Sequence, residues 1–265
     1  MPARRVSRRS HTESLLAYDL SISSWLIEGG TSPDGFDVLL DVMPLRANGG
    51  ERTSLALAGF DESGRGALAG PLVVACVHLE FDSADEVAAA SRLIEGLSGV
   101  DDSKRVPAAR RELLYDAIDT HACFGVGASS AAEIDRVGIV PACRIAARRA
   151  YRNLGVDIEF GLFDRGLTLR GHGETAAERA PYPLEGSAIG ADGRSLHVAC
   201  ASIIAKVWRD RAMVRLAEAF PGYALERHKG YGTTAHRAAL KVLGPTPVHR
   251  RSFLRGSDRT KSQFC

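Results

Sequence analysis

Asp61 and Glu62 stand side by side in Gly59-Phe60-Asp61-Glu62-Ser63-Gly64-Arg65-Gly66, where an apolar, strand-like run gives way to a glycine-rich turn. Two adjacent carboxylates in that position cannot spread their charge along a solvated helix face. The chemistry they suit is the holding of a hard divalent cation through oxygen ligands. The glycines beside them let main chain approach a ligand closely.

The wider pattern, AGFDESGRGALAGPLVVACV, resembles the signature of ribonuclease HII, the type 2 ribonuclease H family, and further family motifs follow in order. Asp164 ends the run IEFGLF at the place of the family's third acid, with Arg165-Gly166 where the family usually has Gly-Asn. Asp157 and Glu159 compete for that role. Asp164 is preferred because sites in open α/β sheets collect at the C-terminal ends of strands. Gly190-Ala191-Asp192-Gly193-Arg194-Ser195, ahead of ACASIIAKV, corresponds to the family's Gly-Asp-x-Lys-Ser, with Ala191 and Arg194 in place of the usual Gly and Lys. Asp192 just ahead of a helix N-terminus also suits the helix dipole. One such acid alone is more often a cap or a surface group, but four in order, each within its own flanking pattern, point to a metal site.

The resemblance implies that Asp61, Glu62, Asp164 and Asp192 are the catalytic acids and hold Mg2+ or Mn2+, with Asp61 bridging two ions once substrate is present. In phosphodiester hydrolysis, ions about 3.5–4 Å apart activate water and stabilise the leaving 3′ oxygen. It further implies that Gly64-Arg65-Gly66 recognises a ribose 2′-hydroxyl through main chain, a group that separates RNA from DNA. Arg65 would add a phosphate contact. Tyr231, in His228-Lys229-Gly230-Tyr231-Gly232-Thr233, would stack on the sugar after the ribonucleotide. Lys229, and Ser103 with Lys104 in Asp101-Asp102-Ser103-Lys104-Arg105, would contact phosphate. The basic residues of His249-Arg250-Arg251-Ser252-Phe253 either contact nucleic acid or brace the site. Lys206 and Arg209 are weaker candidates.

These residues need elements to position them. Alternation and apolar runs predict strands over 54–60, 71–80, 122–128, 158–163 and 184–189, the first two paired antiparallel across a short turn. Helical spacing predicts helices over 13–27, 107–121, 130–136 and 140–153. Two longer ones follow, Leu196 to about Phe220 capped by Ser195 and one ending near Leu243 capped by Thr233. The basic face Arg144/Arg148/Arg149/Arg152 reads as solvated. Periodicity alone gives an α/β layered domain with a mixed sheet. The resemblance implies the ribonuclease H-like fold, a five-stranded mixed sheet flanked by helices with a C-terminal helical extension. The expected organisation is an N-terminal extension (1–53), disordered over 1–12 and containing the apolar patch FDVLLDVMPL, a catalytic domain (54–255) and a loose tail (256–265). The extension could pack on the main domain or stand off as an appendage.

The 265-residue chain is 45% hydrophobic with a net charge of +2, so it can bury a large core, and any basic surface must be local. Five cysteines without a C-x-x-C pair argue for buried free thiols in a reducing cytoplasm. The histidines lack zinc-ligand spacing, and neither a P-loop nor a supported Ser-His-Asp order occurs. No segment reads as a membrane span. The expected activity is metal-dependent cleavage of the RNA strand of RNA–DNA hybrids and of ribonucleotides embedded in duplex DNA, by a cytoplasmic monomer. The rivals are a nuclease of this fold without a ribose requirement and an inactive nucleic-acid binder.

Overall fold

The computed structural model describes residues 7–28, 32–38, 55–79, 86–179 and 181–254. Most of the patch FDVLLDVMPL, residues 1–6 and the tail from 255 lie outside them. In chain order the elements are α1 (Arg8–Glu28), β1 (Phe36–Val38), β2 (Leu57–Ser63), β3 (Leu72–Leu79), α2 (Glu86–Gly96), α3 (Ala108–His121), β4 (Ala122–Ser129), α4 (Ala131–Val137), α5 (Ile139–Leu154), β5 (Phe160–Asp164), α6 (Ala176–Arg179), β6 (Leu184–Ala188), a 3-10 turn (Ala191–Gly193), α7 (Leu196–Ala219), α8 (Leu225–His228), α9 (Thr234–Leu243) and α10 (Arg251–Leu254).

The strands form one mixed sheet in the order β1-β6-β5-β2-β3-β4. β3 pairs antiparallel with both β2 and β4, while β5 pairs parallel with both β2 and β6. The five expected strands are joined by a sixth, β1, which pairs antiparallel with β6 at the sheet edge.

β3 reads LVVACVHL because it is buried on both faces. Val73, Ala75, Val77 and Leu79 pack with α2, α3 and α7 residues such as Leu93, Leu114 and Ile203. Leu72, Val74 and Cys76 face the other way, onto Ala146, Ala147 and Ala150 of α5. Cys76, Cys143 and Cys200 are buried free thiols, and Cys123 is partly buried. Ser195 caps α7 by accepting from the Val198 N–H, and Thr233 caps α9 by accepting from the His236 N–H, as the sequence predicts.

The N-terminal segment differs from expectation. Helix α1 begins at Arg8, so residues 8–12 are helical rather than disordered. Its Leu15 and Leu16 share a cluster with Val73 and Ile203, so α1 packs on the main domain. Thr12, Leu15, Asp19, Ile22 and Leu26 recur at helical spacing on its buried side.

The basic face of α5 also differs. Arg148 bonds both carboxylate oxygens of Glu174 at 2.7 Å, and Arg149 reaches Glu133 at 2.6 Å. The segment between β5 and β6 delivers Glu174, which pairs with Arg144 and Arg148 as Glu133 does with Arg149, while Arg152 remains on the solvated face. Among the described residues no helix is long and apolar enough to cross a membrane.

Helix α7 approaches β2 very closely at Gly59. A Cβ there would lie 2.3 Å from the His197 carbonyl carbon and 2.4 Å from the Val198 nitrogen. Main-chain atoms cannot rotate aside. Gly59→Ala is therefore predicted to destabilise the protein by about 2–3 kcal/mol in urea unfolding; a loss below about 0.5 kcal/mol, the range of an ordinary surface substitution, would contradict this packing.

Candidate active site

Parallel pairing sets the first pair of acids. β2 and β5 are in register from Leu57↔Phe160 to Phe60↔Phe163, so the next residues, Asp61 and Asp164, lie at the same end of that pairing. Glu159, the rival to Asp164, precedes β5 and accepts from the Ala56 N–H at 3.2 Å, at the other end of the sheet, and Asp157 lies earlier still. β6 ends at Ala188 opposite Asp164, and the chain turns there into the 3-10 segment carrying Asp192. The Ala191 N–H donates to Asp164 Oδ1 at 3.0 Å, which ties the third acid to the turn holding the fourth. The Ala191 methyl group, where the family usually has glycine, is buried among Phe160, Leu162 and Val198.

The four acids feel one another. Burial, followed by Glu62, Asp164 and Asp192, holds the Asp61 carboxyl well above the usual carboxylate range. Burial also raises Glu62, against the pull of Arg65, whose Nη1 lies 3.3 Å from Glu62 Oε1. For Asp192, burial and then Asp102 raise the carboxyl, and Lys104 opposes them. Lys104 Nζ sits 3.2 Å from Asp192 and 3.7 Å from Asp102, between two carboxylates. Those two carboxylates outweigh the effect of burial and raise the Lys104 ammonium.

The acids are gathered but not drawn into a ready-made cage. Among the described residues no three His, Cys, Asp or Glu side chains stand close enough to hold a metal ion between them. The donor set is nevertheless all carboxylate, the type that hard cations select. A divalent cation would offset the burial and the repulsion that together hold Asp61 up.

The substrate candidates form a second group against the first. Gly66 is exposed, and a Cβ there would meet nothing within 4 Å, so its main chain is open to a ligand. Arg65 reaches the Gly166 carbonyl at 3.3 Å, and at Gly166 (φ +91°) a Cβ would lie 3.3 Å from its guanidinium. The Arg165-Gly166 departure thus makes room for Arg65. Tyr231 is 39% exposed in a turn docked on the same loop, where the Leu68 N–H donates to the Gly230 carbonyl at 2.8 Å. Gly230 has φ +79°, and a Cβ there would lie 2.3 Å from the Ala69 oxygen, so only glycine fits. Lys229, also left-handed, donates from Nζ to the Glu226 carbonyl. Ser103, expected at the substrate, is 6% exposed, with its N–H on Ser202 Oγ; it holds the turn from which Lys104 projects.

The residues that hold this recognition surface are arginines that sequence reasoning undervalued. Arg209 of α7 is fully buried and donates to the carbonyls of Pro71, Ala69 and Lys229. Its guanidinium lies 5.3 Å from the Tyr231 ring centre, and its Nε occupies the space that a Cβ at Gly64 would fill. Arg250 is also fully buried and donates to the carbonyls of Gly70 and Arg65, so it braces the loop. Burial lowers both groups, Arg250 to about 10. Each carbonyl left without its donor would cost about 1–3 kcal/mol. The signal for Arg209 was its place two residues beyond the ACASIIAKV motif. Lys206, by contrast, pairs with Asp210 at 2.5 Å.

The fold is that of ribonuclease H-like α/β nucleases. A solved structure of the PCNA–ribonuclease HII complex from Archaeoglobus fulgidus superposes with a TM-score of 0.58, at 28% identity, over 74% of this chain and 94% of that one. Residues 58–256 match the family model of ribonuclease HII. The chain is 45% identical over 199 residues to ribonuclease HII of Gluconobacter oxydans, covering 74% of this chain and 87% of that protein. It is 48% identical over 200 residues to ribonuclease HII of Parasynechococcus marenigrum, covering 75% and 82%. The chain belongs to the ribonuclease HII family: it is a ribonuclease H, an endonuclease that hydrolyses phosphodiesters.

Beneath the Tyr231 turn a histidine relay has one consistent set of tautomers. His236 Nδ1–H donates to the Tyr231 carbonyl, so its Nε2 accepts from His249 Nε2–H at 3.0 Å. His249 Nδ1 then accepts from the Thr246 N–H, while the His228 ring stacks on His236 at 4.4 Å. Burial, then His236, lowers His249 from 6.5 to about 4, and burial lowers His236 as well. In the unfolded chain these imidazoles take up protons first. Their contribution to stability is therefore full above about pH 6.5 and lost as pH falls toward 4. Thermal unfolding across that window is predicted to fall less steeply with acid in His249→Asn than in the parent; parallel curves would contradict the relay.

Proposed function

We propose that this protein cuts the RNA strand of RNA–DNA hybrids and cuts at ribonucleotides embedded in duplex DNA, leaving 5′-phosphate and 3′-hydroxyl ends and so serving ribonucleotide removal. The observation that carries this reading is the convergence of four carboxylates beside a main-chain loop and an exposed tyrosine held together by one buried arginine.

In this reading Asp61, Glu62, Asp164 and Asp192 hold Mg2+ or Mn2+. When bound, the cations supply an activated water and stabilise the departing 3′ oxygen. The protein's own groups do the rest. The exposed main chain at Gly66, in the Gly64-Arg65-Gly66 loop, accepts or donates to the 2′-hydroxyl, for which DNA offers no counterpart. Tyr231 stacks on the neighbouring sugar, and Arg209 fixes the distance between loop and ring. Arg65, Lys104 and Lys229 lie at the rim and meet phosphate oxygens, with Ser103 setting the direction of Lys104. With a cation held by Asp192, Lys104 would be released from that carboxylate to meet phosphate. The working environment is the cytoplasm and the working unit a monomer.

Two variants separate the parts of this reading. Asp61→Asn should bind an RNA–DNA junction yet cut it more than roughly a hundredfold slower in magnesium, since even outer-shell changes at metal sites cost about ten- to a hundredfold. Turnover like the parent's would defeat the assignment. Tyr231→Ala should lose roughly tenfold or more on a single embedded ribonucleotide, the scale of one lost stacking contact. Equal cutting of that substrate would remove Tyr231 from recognition.

A further inference from the structure

The family match begins at residue 58, yet the segment ahead of it reaches the turn that carries Asp192. Asp19, in the middle of α1, is 2% exposed. Its Oδ2 accepts from the Leu196 N–H at 2.9 Å, from the His197 N–H at 3.2 Å and from His197 Nδ1–H at 2.8 Å. Leu196 and His197 are the first residues of α7, and Ser195 takes the Val198 N–H. A carboxylate from another element therefore satisfies donors that a helix N-terminus leaves open, at the end where negative charge is favoured.

Two further contacts bear on the same stretch. Arg194, where the family usually has lysine, lies over the Tyr18 ring at 4.7 Å and donates to the Asp34 carbonyl. β1 pairs with the end of β6 through Phe36↔Ala188 and Asp37↔Ser187, immediately ahead of the 3-10 turn. Residues 188–197 are thus held on both sides of Asp192 by α1 and by the segment around β1.

We infer that the N-terminal segment is a positioning device for the active site. Asp19 and the Tyr18–Arg194 contact fix the turn bearing Asp192, and so set how tightly that acid binds a divalent cation. The inference rests on the reading of Asp192 as a cation ligand. A helix cap that merely stabilised α7 would raise the unfolding temperature and leave cation affinity alone.

The test is Mn2+ binding to the full-length protein without substrate, followed by electron paramagnetic resonance, for Asp19→Asn, Arg194→Ala and Asp192→Asn, each checked for folding by circular dichroism. Asp19→Asn keeps the side-chain size and removes its charge. It is expected to weaken Mn2+ binding about tenfold, the lower end for residues behind a metal ligand. The Mg2+ concentration for half-maximal cleavage should rise by a similar factor, with KM for the nucleic acid unchanged. Arg194→Ala is expected to shift both in the same direction. Parental Mn2+ affinity in the folded Asp19 and Arg194 variants would overturn the inference. If Asp19→Asn does not fold, Arg194→Ala decides alone, because Arg194 lies outside the buried core. Parental affinity in Asp192→Asn would instead overturn the reading of the acid cluster beneath it.

Discussion

Like charge, brought together out of water, is the constraint around which this molecule is arranged. Asp61 is buried at a sheet end with three other acids near enough to raise its carboxyl. Such a cluster persists only if the surrounding structure fixes the strands and turns that carry it and if cations balance it. Parallel pairing of β2 with β5 and the Ala191–Asp164 hydrogen bond do the first. Arg65 and Lys104 do part of the second, each from the rim and each close to a carboxylate. The remaining repulsion is what a hard divalent ion would relieve.

The recognition surface follows a different rule. Its supports, Arg209, Arg250 and the histidine relay, are buried and bond mostly to main-chain carbonyls. They shape the glycine loop and the Tyr231 turn without adding negative charge near the phosphates. Helix α7 joins the two halves. Its first residues adjoin the Asp192 turn, and Arg209 farther along pins both recognition segments. Close packing at Gly59 seats that helix on the strand bearing Asp61, so the acid cluster and the glycine loop share one rigid reference.

Much of this was legible in the sequence because the relevant signals are local. β3 announced its two-sided burial by an unbroken apolar run, and Ser195 and Thr233 announced their helices by capping chemistry. The order of Asp61, Glu62, Asp164 and Asp192 was readable from flanking patterns. β1 was not, since three residues in a Gly/Pro-rich stretch become a strand only when β6 offers an edge. α2 went unread although Ala89 and Leu93 carry part of its buried side. The α5 arginines looked solvated because Glu133 and Glu174 are brought to them by folding, from 16 and 26 residues away. Arg209 was read only as a weaker contact candidate, and Asp19 went unread, for the same reason: a charge buried against distant main chain has the same letters as one in water.

The central claim is that Asp61 and its neighbours form one cation site. The most direct measurement is anomalous diffraction from crystals soaked with Mn2+ and a non-hydrolysable RNA–DNA junction. The account predicts manganese peaks about 3.5–4 Å apart with an Asp61 oxygen bound to both, and Glu62, Asp164 and Asp192 completing the shells. Manganese bound elsewhere, with Asp61 ligating none of it, would contradict it.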